Sequence, residues 1–334
     1  MNAVVLRELG GPDRLVLDTM PDPQPGPGDA VVRLRAAALN HRDAWIRQGL
    51  YAGIRLPIIL GSDGAGEVVA AGRDVAAWRP GQEVVINPSL DWGTSDRVQG
   101  PAYRILGLPD HGTYAELVKV PAENLFAKPA SMPWHAAAAL PLAGLTAYRA
   151  LVTRARVEPG DTVLVTGLGG GVATFALLIA RHLGARVLVT SGSDAKLERA
   201  RALGAAGGVN YRTDGWGKAL LELCDGGPDV IIDSAGKDVF PTLIEIIKPG
   251  GRLVTFGATT GSPSAVEVRR IFWKQISILG STMGSPSEFA AMLALFAGGP
   301  SPVIDQVLPL AAAADAHRRM DSADQFGKLV LSID

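Results

Sequence analysis

Between Val163 and Gly184 the chain leaves little choice of local structure. Val163, Leu164, Val165 and Thr166 make a short β-branched, apolar run launched from the turn Glu158-Pro159-Gly160-Asp161, and Gly167-Leu168-Gly169-Gly170-Gly171-Val172-Ala173 follows it. From Thr174 to Leu183 apolar residues fill a broad face, and Gly184 stops the run. The pattern predicts a buried strand, a glycine turn and a helix. Glycines at such a turn let the backbone approach a pyrophosphate, while the helix offers unpaired N–H groups and the positive end of its dipole. The spacing is Gly167-x-x-Gly170-x-x-Ala173, one residue longer than the strict dinucleotide fingerprint, which would want a glycine at Val172.

A length of 334 residues suggests two domains, and 47% hydrophobic with 19% charged residues is an ordinary globular composition. The net charge of −1 comes without a long run of one sign, so no nucleic-acid or anionic-membrane surface is expected, and the partner should be a small molecule. The longest apolar run, Val172 to Ala180 interrupted by Thr174, is too short for a membrane span. The amino terminus lacks a signal peptide's basic and apolar regions, so a cytoplasmic protein is expected. A single cysteine, Cys224, excludes an internal disulfide and any zinc site built on several cysteines.

Residues 1–125 read as short strands separated by turn chemistry, with a helix from His41 to Gln48 and a turn-rich insertion from Pro88 to Gly112. From about residue 126 to 264 strands and helices alternate: Arg186–Thr190, Gly208–Asn210, Asp229–Asp233 and Arg252–Phe256 are the expected buried strands of a doubly wound parallel sheet. Residues 265–334 are expected to return to the first domain, with helices at Pro286–Phe296 and Ala311–Met320 and a closing strand at Lys328–Ile333. The strand after the glycine helix ends in Val189-Thr190-Ser191-Gly192-Ser193 and carries no acid for the adenosine ribose. A 2′-phosphate would instead meet Ser191, Ser193 and Lys196, which favours NADP(H).

These residues together resemble the medium-chain dehydrogenase/reductase superfamily over essentially the whole length. The resemblance is carried by Asn40 within Ala38-Leu39-Asn40-His41-Arg42-Asp43, the turn Gly61-x-Asp63-x-Ala65-Gly66-x-Val68, Gly144-Leu145-Thr146-Ala147-Tyr148, the glycine turn, Phe256-Gly257 and Gly327-Lys328-Leu329-Val330-Leu331. It implies an α/β chain: a GroES-like, β-rich catalytic domain from both chain ends, and a Rossmann doubly wound domain between them. It also implies a homodimer or homotetramer paired through edge strands near Ile276 to Gly280.

Zinc-dependent relatives carry a Cys at the position of Asn40, His-Glu at Ser62-Asp63, and a Cys or acid near Leu142; the relay hydroxyl falls at Arg42. Of those ligands only the carboxylate of Asp63 survives, too few for zinc. The pattern is similar to the zinc-free quinone oxidoreductase branch, with Asn40 and Tyr51 in place and Trp45 where that branch has another aromatic, usually Tyr. There a Lys and a Tyr fifteen residues apart grip the 2′-phosphate, as Lys196 and Tyr211 would.

The resemblance thus implies hydride transfer from NADPH to a quinone, enone or related carbonyl. Asn40, Tyr51 and Trp45 are the expected catalytic residues, and Thr146, Gly167, Gly169, Gly170, Gly171, Val172, Ser191, Lys196, Tyr211, Phe256, Gly257 and Lys328 the expected cofactor-binding ones. The alternatives are a zinc-type alcohol dehydrogenase-like enzyme and a low-turnover NADPH-binding or sensing protein. His41, Arg42 and Asp43 do not make a catalytic trio, because consecutive residues cannot all face one point.

Overall fold

The computed structural model describes residues 1–263 and 265–334. The chain divides into two compact units, Met1–Leu145 with Gly284–Asp334, and Thr146–Met283. The first unit contains β1 (Asn2–Leu6), β2 (Leu15–Thr19), β3 (Asp29–Ala38), α1 (His41–Arg47), β4 (Ile58–Ile59), β5 (Asp63–Ala71) and β6 (Glu83–Ile86). It continues through β7 (Ser89–Leu90), β8 (Arg104–Ile105), β9 (Leu117–Pro121), β10 (Leu125–Ala127) and α2 (Trp134–Ala139), and α3 (Pro141–Tyr148) carries the chain onward.

The second unit alternates: β11 (Thr162–Val165), α4 (Gly171–His182), β12 (Arg186–Ser191), α5 (Asp194–Ala202), β13 (Gly207–Asn210), α6 (Trp216–Glu222), β14 (Val230–Asp233), α7 (Val239–Ile246), β15 (Arg252–Thr255), α8 (Val268–Lys274) and β16 (Ser277–Gly280). The first unit is completed by α9 (Pro286–Gly298), β17 (Ile304–Pro309), α10 (Ala313–Asp321) and β18 (Lys328–Ser332).

In the first unit a mainly antiparallel sheet runs β10-β6-β5-β3-β18-β17, with β9 also pairing with β3, and a smaller sheet runs β2-β1-β4. Leu6, Leu34, Ile46, Ile59, Val68, Ile86 and Leu331 belong to the apolar core of this unit. Gly66 shows why β5 needs glycine: a Cβ there would lie 2.0 Å from the Arg33 carbonyl oxygen of β3. β17 was not expected, because its exposed and polar residues give no apolar alternation; it pairs in parallel with β18 at the sheet edge.

The second unit is a six-stranded parallel sheet in the order β13-β12-β11-β14-β15-β16. Every residue of β11 is buried, as a strand covered on both faces requires, and α4 buries Ala173 through Ala180. Pro159-Gly160 launches β11, with Gly160 at φ +91°, and Gly250 at φ +72° launches β15.

The expected domain limits, 125/126 and 264/265, differ from the observed ones. β10 pairs with β6 and α2 packs on β3 and β5, so residues 126–145 stay with the first unit. β16 adds a sixth strand beside β15, which keeps residues 265–283 with the second. No helix among the described residues is long and apolar enough to cross a membrane.

Candidate active site

In the second unit the turn after β11 is built by backbone that only glycine adopts readily. Gly167 has φ +62° with nothing within 4 Å of a would-be Cβ, and Gly169 has φ +144°. A Cβ at Gly169 would lie 2.9 Å from Lys196 Nζ, so the Lys196 side chain lies across the turn. Gly170 caps α4 without a side-chain hydrogen bond, which leaves the first-turn N–H groups of Gly171 and Val172 uncovered by any cap. A glycine cradle at an uncapped helix N-terminus fits a dinucleotide pyrophosphate.

The turn is pinned to β12. Leu168 N–H donates to the Thr190 carbonyl at 2.7 Å, Gly167 N–H donates to Thr190 Oγ1 at 3.1 Å, and Ser191 Oγ donates to the Leu168 carbonyl at 3.0 Å. Ser191 is buried and its proton is used inside the turn, so it braces the cradle instead of offering a donor to a phosphate. Two other groups converge beside it: a Cβ at Gly192 would lie 2.7 Å from the Tyr211 hydroxyl and 2.9 Å from Arg212 Nε. Lys196, Tyr211 and Arg212 therefore surround the end of β12. Arg212 was missed by sequence reasoning, although its place next to Tyr211 was the available signal.

Asp233, also unforeseen, accepts from Thr166 Oγ1 at 2.6 Å and from the Ala235 and Gly236 N–H groups, fixing the turn after β14. Phe256 N–H donates to the Asp233 carbonyl, and Gly257 follows it. Thr146 is buried with Oγ1 3.8 Å from Met283 Sδ. Cys224 is a packed thiol whose Sγ donates to the Leu220 carbonyl, and burial raises its pKa.

In the first unit Asn40 lies just beyond the end of β3 and caps α1. Its N–H donates to Asp43 Oδ2 at 2.9 Å, while Asp43 N–H donates back to the Asn40 carbonyl. Its side chain joins a buried ionic lattice: Asn40 Nδ2 donates to Asp63 Oδ2 at 2.9 Å, and Asn40 Oδ1 accepts from Lys328 Nζ at 2.8 Å. Lys328 Nζ also donates to the Leu39 carbonyl at 2.6 Å and to Asp63 Oδ2 at 2.8 Å. Asp63 Oδ1 accepts from Leu142 N–H. Lys328, expected to bind cofactor, thus has its three ammonium donors taken inside this unit, because β18 lies beside β3 and points it at the end of that strand.

Asp43 Oδ2 also accepts the Tyr114 hydroxyl at 2.9 Å, and its Oδ1 is buried without a partner; burial, as the main cause, raises the pKa of this carboxyl. Arg42 Nη1 donates to Ser62 Oγ and to the Leu106 carbonyl, each at 2.8 Å. The Arg42 guanidinium carbon stands 5.4 Å from the centroid of the Tyr51 ring. Trp45 is half-buried, its ring 6.1 Å from that of His41. His41 keeps an accessible side chain, yet the surrounding protein pushes its pKa down. His111 accepts from Ile59 N–H at Nδ1. The structure therefore joins Asn40, Asp63 and Lys328 in one lattice and pairs Tyr51 with Arg42. Among the described residues no three His, Cys, Asp or Glu side chains converge to hold a metal.

The family described as "Alcohol dehydrogenase GroES-like domain" matches residues 26–130, and that described as "Zinc-binding dehydrogenase" matches residues 171–298. A zinc-type alcohol dehydrogenase-like protein of Leptosphaeria maculans is 35% identical over 341 residues, covering 96% of this chain and 94% of the relative. This chain belongs to the medium-chain dehydrogenase/reductase superfamily. A quinone oxidoreductase of Pseudomonas aeruginosa is another superfamily relative, 33% identical over 333 residues and covering 96% of each chain. Among solved structures, one titled NAD-dependent alcohol dehydrogenase matches this superfamily member with TM-score 0.95 and 44% identity over 100% of both chains. A crotonyl-CoA carboxylase/reductase in complex with NADP matches with TM-score 0.92 and 25% identity, covering 99% of this chain and 94% of that one. The superfamily fold is thus the one observed, a GroES-like unit and a parallel-sheet Rossmann unit.

Proposed function

We propose that this oxidoreductase transfers hydride from NADPH to a quinone, enone or related carbonyl without catalytic zinc. The observation that carries the reading is the lattice around Asp63. At the positions where zinc-dependent relatives hold metal, Asn40 and Asp63 are bound to Lys328, and Ser62 is bound to Arg42. A metal needing three protein ligands finds one carboxylate, already neutralised by an ammonium. Bound NADPH supplies the hydride; the protein's part is to hold the acceptor and answer the charge on its oxygen. Tyr51 and Trp45 offer aromatic surface, and Asn40 is held by both ends of its amide in a fixed orientation.

The cofactor preference is proposed from the cationic end of β12. Lys196, Tyr211 and Arg212 meet a 2′-phosphate there, and Asp194 turns its carboxylate to Asn210 Nδ2 at 2.9 Å. Lys196→Ala with Tyr211→Phe is expected to raise the KM for NADPH about 10- to 100-fold, the equivalent of one or two charge-assisted hydrogen bonds, with NADH unaffected. Equal losses with both cofactors would remove the assignment.

The deciding experiment is NADPH and NADH consumption by metal-stripped protein against quinones, enones, aldehydes and alcohols. Reduction of quinones or enones with NADPH preferred is the expected result. Activity that returns only with added zinc, or alcohol oxidation with NAD, would favour the zinc-type alcohol dehydrogenase reading, which the names of two similar proteins recommend. Tight NADPH binding with no acceptor reduced would favour a binding or sensing role.

A homodimer is proposed as well. Among the described residues β16 pairs only with β15, and neighbouring α8 leaves Phe272 63% and Trp273 83% exposed. Light scattering is expected to give twice the 34.8 kDa chain mass, and a monomer would refute the pairing.

A further inference from the structure

The first unit buries three cations among its described residues, and two of them meet a carboxylate: Arg47 pairs with Asp321 at 2.6 Å and Lys328 with Asp63 at 2.8 Å. Arg42 is the exception. It is 6% exposed, and its Nη1 is held by two neutral oxygens, Ser62 Oγ and the Leu106 carbonyl. Asp43, next in the chain, lies within electrostatic reach of the guanidinium but makes no hydrogen bond to it, giving its bonded oxygen to Asn40 and Tyr114. Arg42 Nε is buried without a partner, and among the described residues Nη2 makes no hydrogen bond. A buried guanidinium that no carboxylate hydrogen-bonds, and whose donors are partly unmade, is a costly arrangement that a bound anion would relieve.

A second unmade donor lies within electrostatic reach. The Tyr103 hydroxyl is buried with no hydrogen bond; the Ser89 hydroxyl is near enough to influence it but donates instead to the Gly284 carbonyl at 2.9 Å. Burial raises the Tyr103 pKa, and the Arg42 charge opposes that rise. Trp92 fixes the Tyr103 ring edge-on at 5.4 Å, and the Tyr51 ring, 37% exposed, lies against the guanidinium.

We propose that the Arg42 guanidinium and the Tyr103 hydroxyl form an oxyanion-binding site, with the Tyr51 ring as its flat wall, for a planar conjugated acceptor. Its catalytic meaning rests on the hydride-transfer reading above; the binding itself does not. Hydride adds to the acceptor carbon with two electrons, the displaced π pair ends on the carbonyl oxygen as an enolate or phenolate, and a proton from water completes the reduction. The forked guanidinium answers that planar oxyanion where a point charge would not, so the substrate class is an enone or quinone instead of a saturated alcohol.

The probe is 4-nitrophenol, whose ionisation is read by its absorbance without any turnover. Bound to wild-type protein, its apparent pKa is expected to fall by about one unit or more beside the guanidinium. Arg42→Gln should abolish the fall and weaken phenolate binding about 10- to 100-fold. Because Arg42 also braces Leu106, Tyr103→Phe is the second variant: it removes a hydroxyl that bonds to nothing, should melt as the wild type does, and should weaken phenolate binding several-fold. An unchanged or raised pKa on the wild-type protein, no binding at all, or undiminished binding by both folded variants would overturn the site. A lowered pKa in a protein that reduces no acceptor would keep the site and remove the hydride-transfer reading; acceptor reduction with an unshifted probe would do the reverse.

Discussion

Lys328→Met is expected to destabilise the first unit by about 3–5 kcal/mol, because it leaves the Asp63 carboxylate buried, charged and without its cation. Asn40 Oδ1 and the Leu39 carbonyl lose their Lys328 donor, and Asp63 Oδ2 keeps the Asn40 amide but loses the ammonium. Asp63→Asn keeps an acceptor for Leu142 N–H but strands the ammonium of Lys328 instead. The double variant removes both charges, so it should be more stable than the two single losses added together, by about 1–3 kcal/mol. Urea unfolding of the four proteins completes the cycle. Strictly additive losses would show that the pair is not coupled, and the account of why Asn40 is held rigidly would fall with it.

The second large effect concerns His317, on α10. Its side chain is fully buried, neither ring nitrogen has a partner, and its ring stands edge-on to Tyr114 at 6.0 Å. Burial, with the nearby Arg47 charge, lowers its pKa to about 3. The folded pKa lies below the unfolded one, so the unfolded chain takes up a proton that the folded protein refuses. Stability is therefore complete above about pH 6.5 and lost progressively toward pH 3, at up to about 1.4 kcal/mol per pH unit and roughly 5 kcal/mol in all. His317→Phe retains the edge-on ring and removes the proton. Between pH 6.5 and 5.5 the variant should lose less stability than the wild type. Identical slopes for the two proteins would mean that His317 does not set this acid limit.

How much of this was legible depended on the distance over which the deciding contacts act. The strand, glycine turn and helix from Thr162 to His182 were readable because β-branched burial, positive-φ turn chemistry and helical periodicity are local. Limits drawn from composition failed where packing decided: the alanines of α2 read as part of the alternating half, yet Ala137, Ala138 and Ala139 are buried in a helix that packs on β3 and β5. Lys328 was recognisable as a marked position but not as a strut, since a lysine in a strand gives no sign of the aspartate it will meet. Ser191 was visible as a hydroxyl, but its hydrogen bond to Leu168 depends on how β12 closes against the turn. Arg42 was the hardest to read, because its neighbours Tyr51, Ser62 and Leu106 come together only through the fold.

The Asp63–Lys328 pair also spans 265 residues of sequence, with the whole parallel-sheet unit between its partners. On a ribosome, Asp63 emerges long before the lysine that neutralises it, whereas the parallel sheet has all its strands once Gly280 is out. The second unit is thus free to fold during synthesis while β3 and β5 wait for β18. In that interval the exposed edge of β3 and the unpaired carboxylate are what a chaperone, or another nascent chain, would encounter.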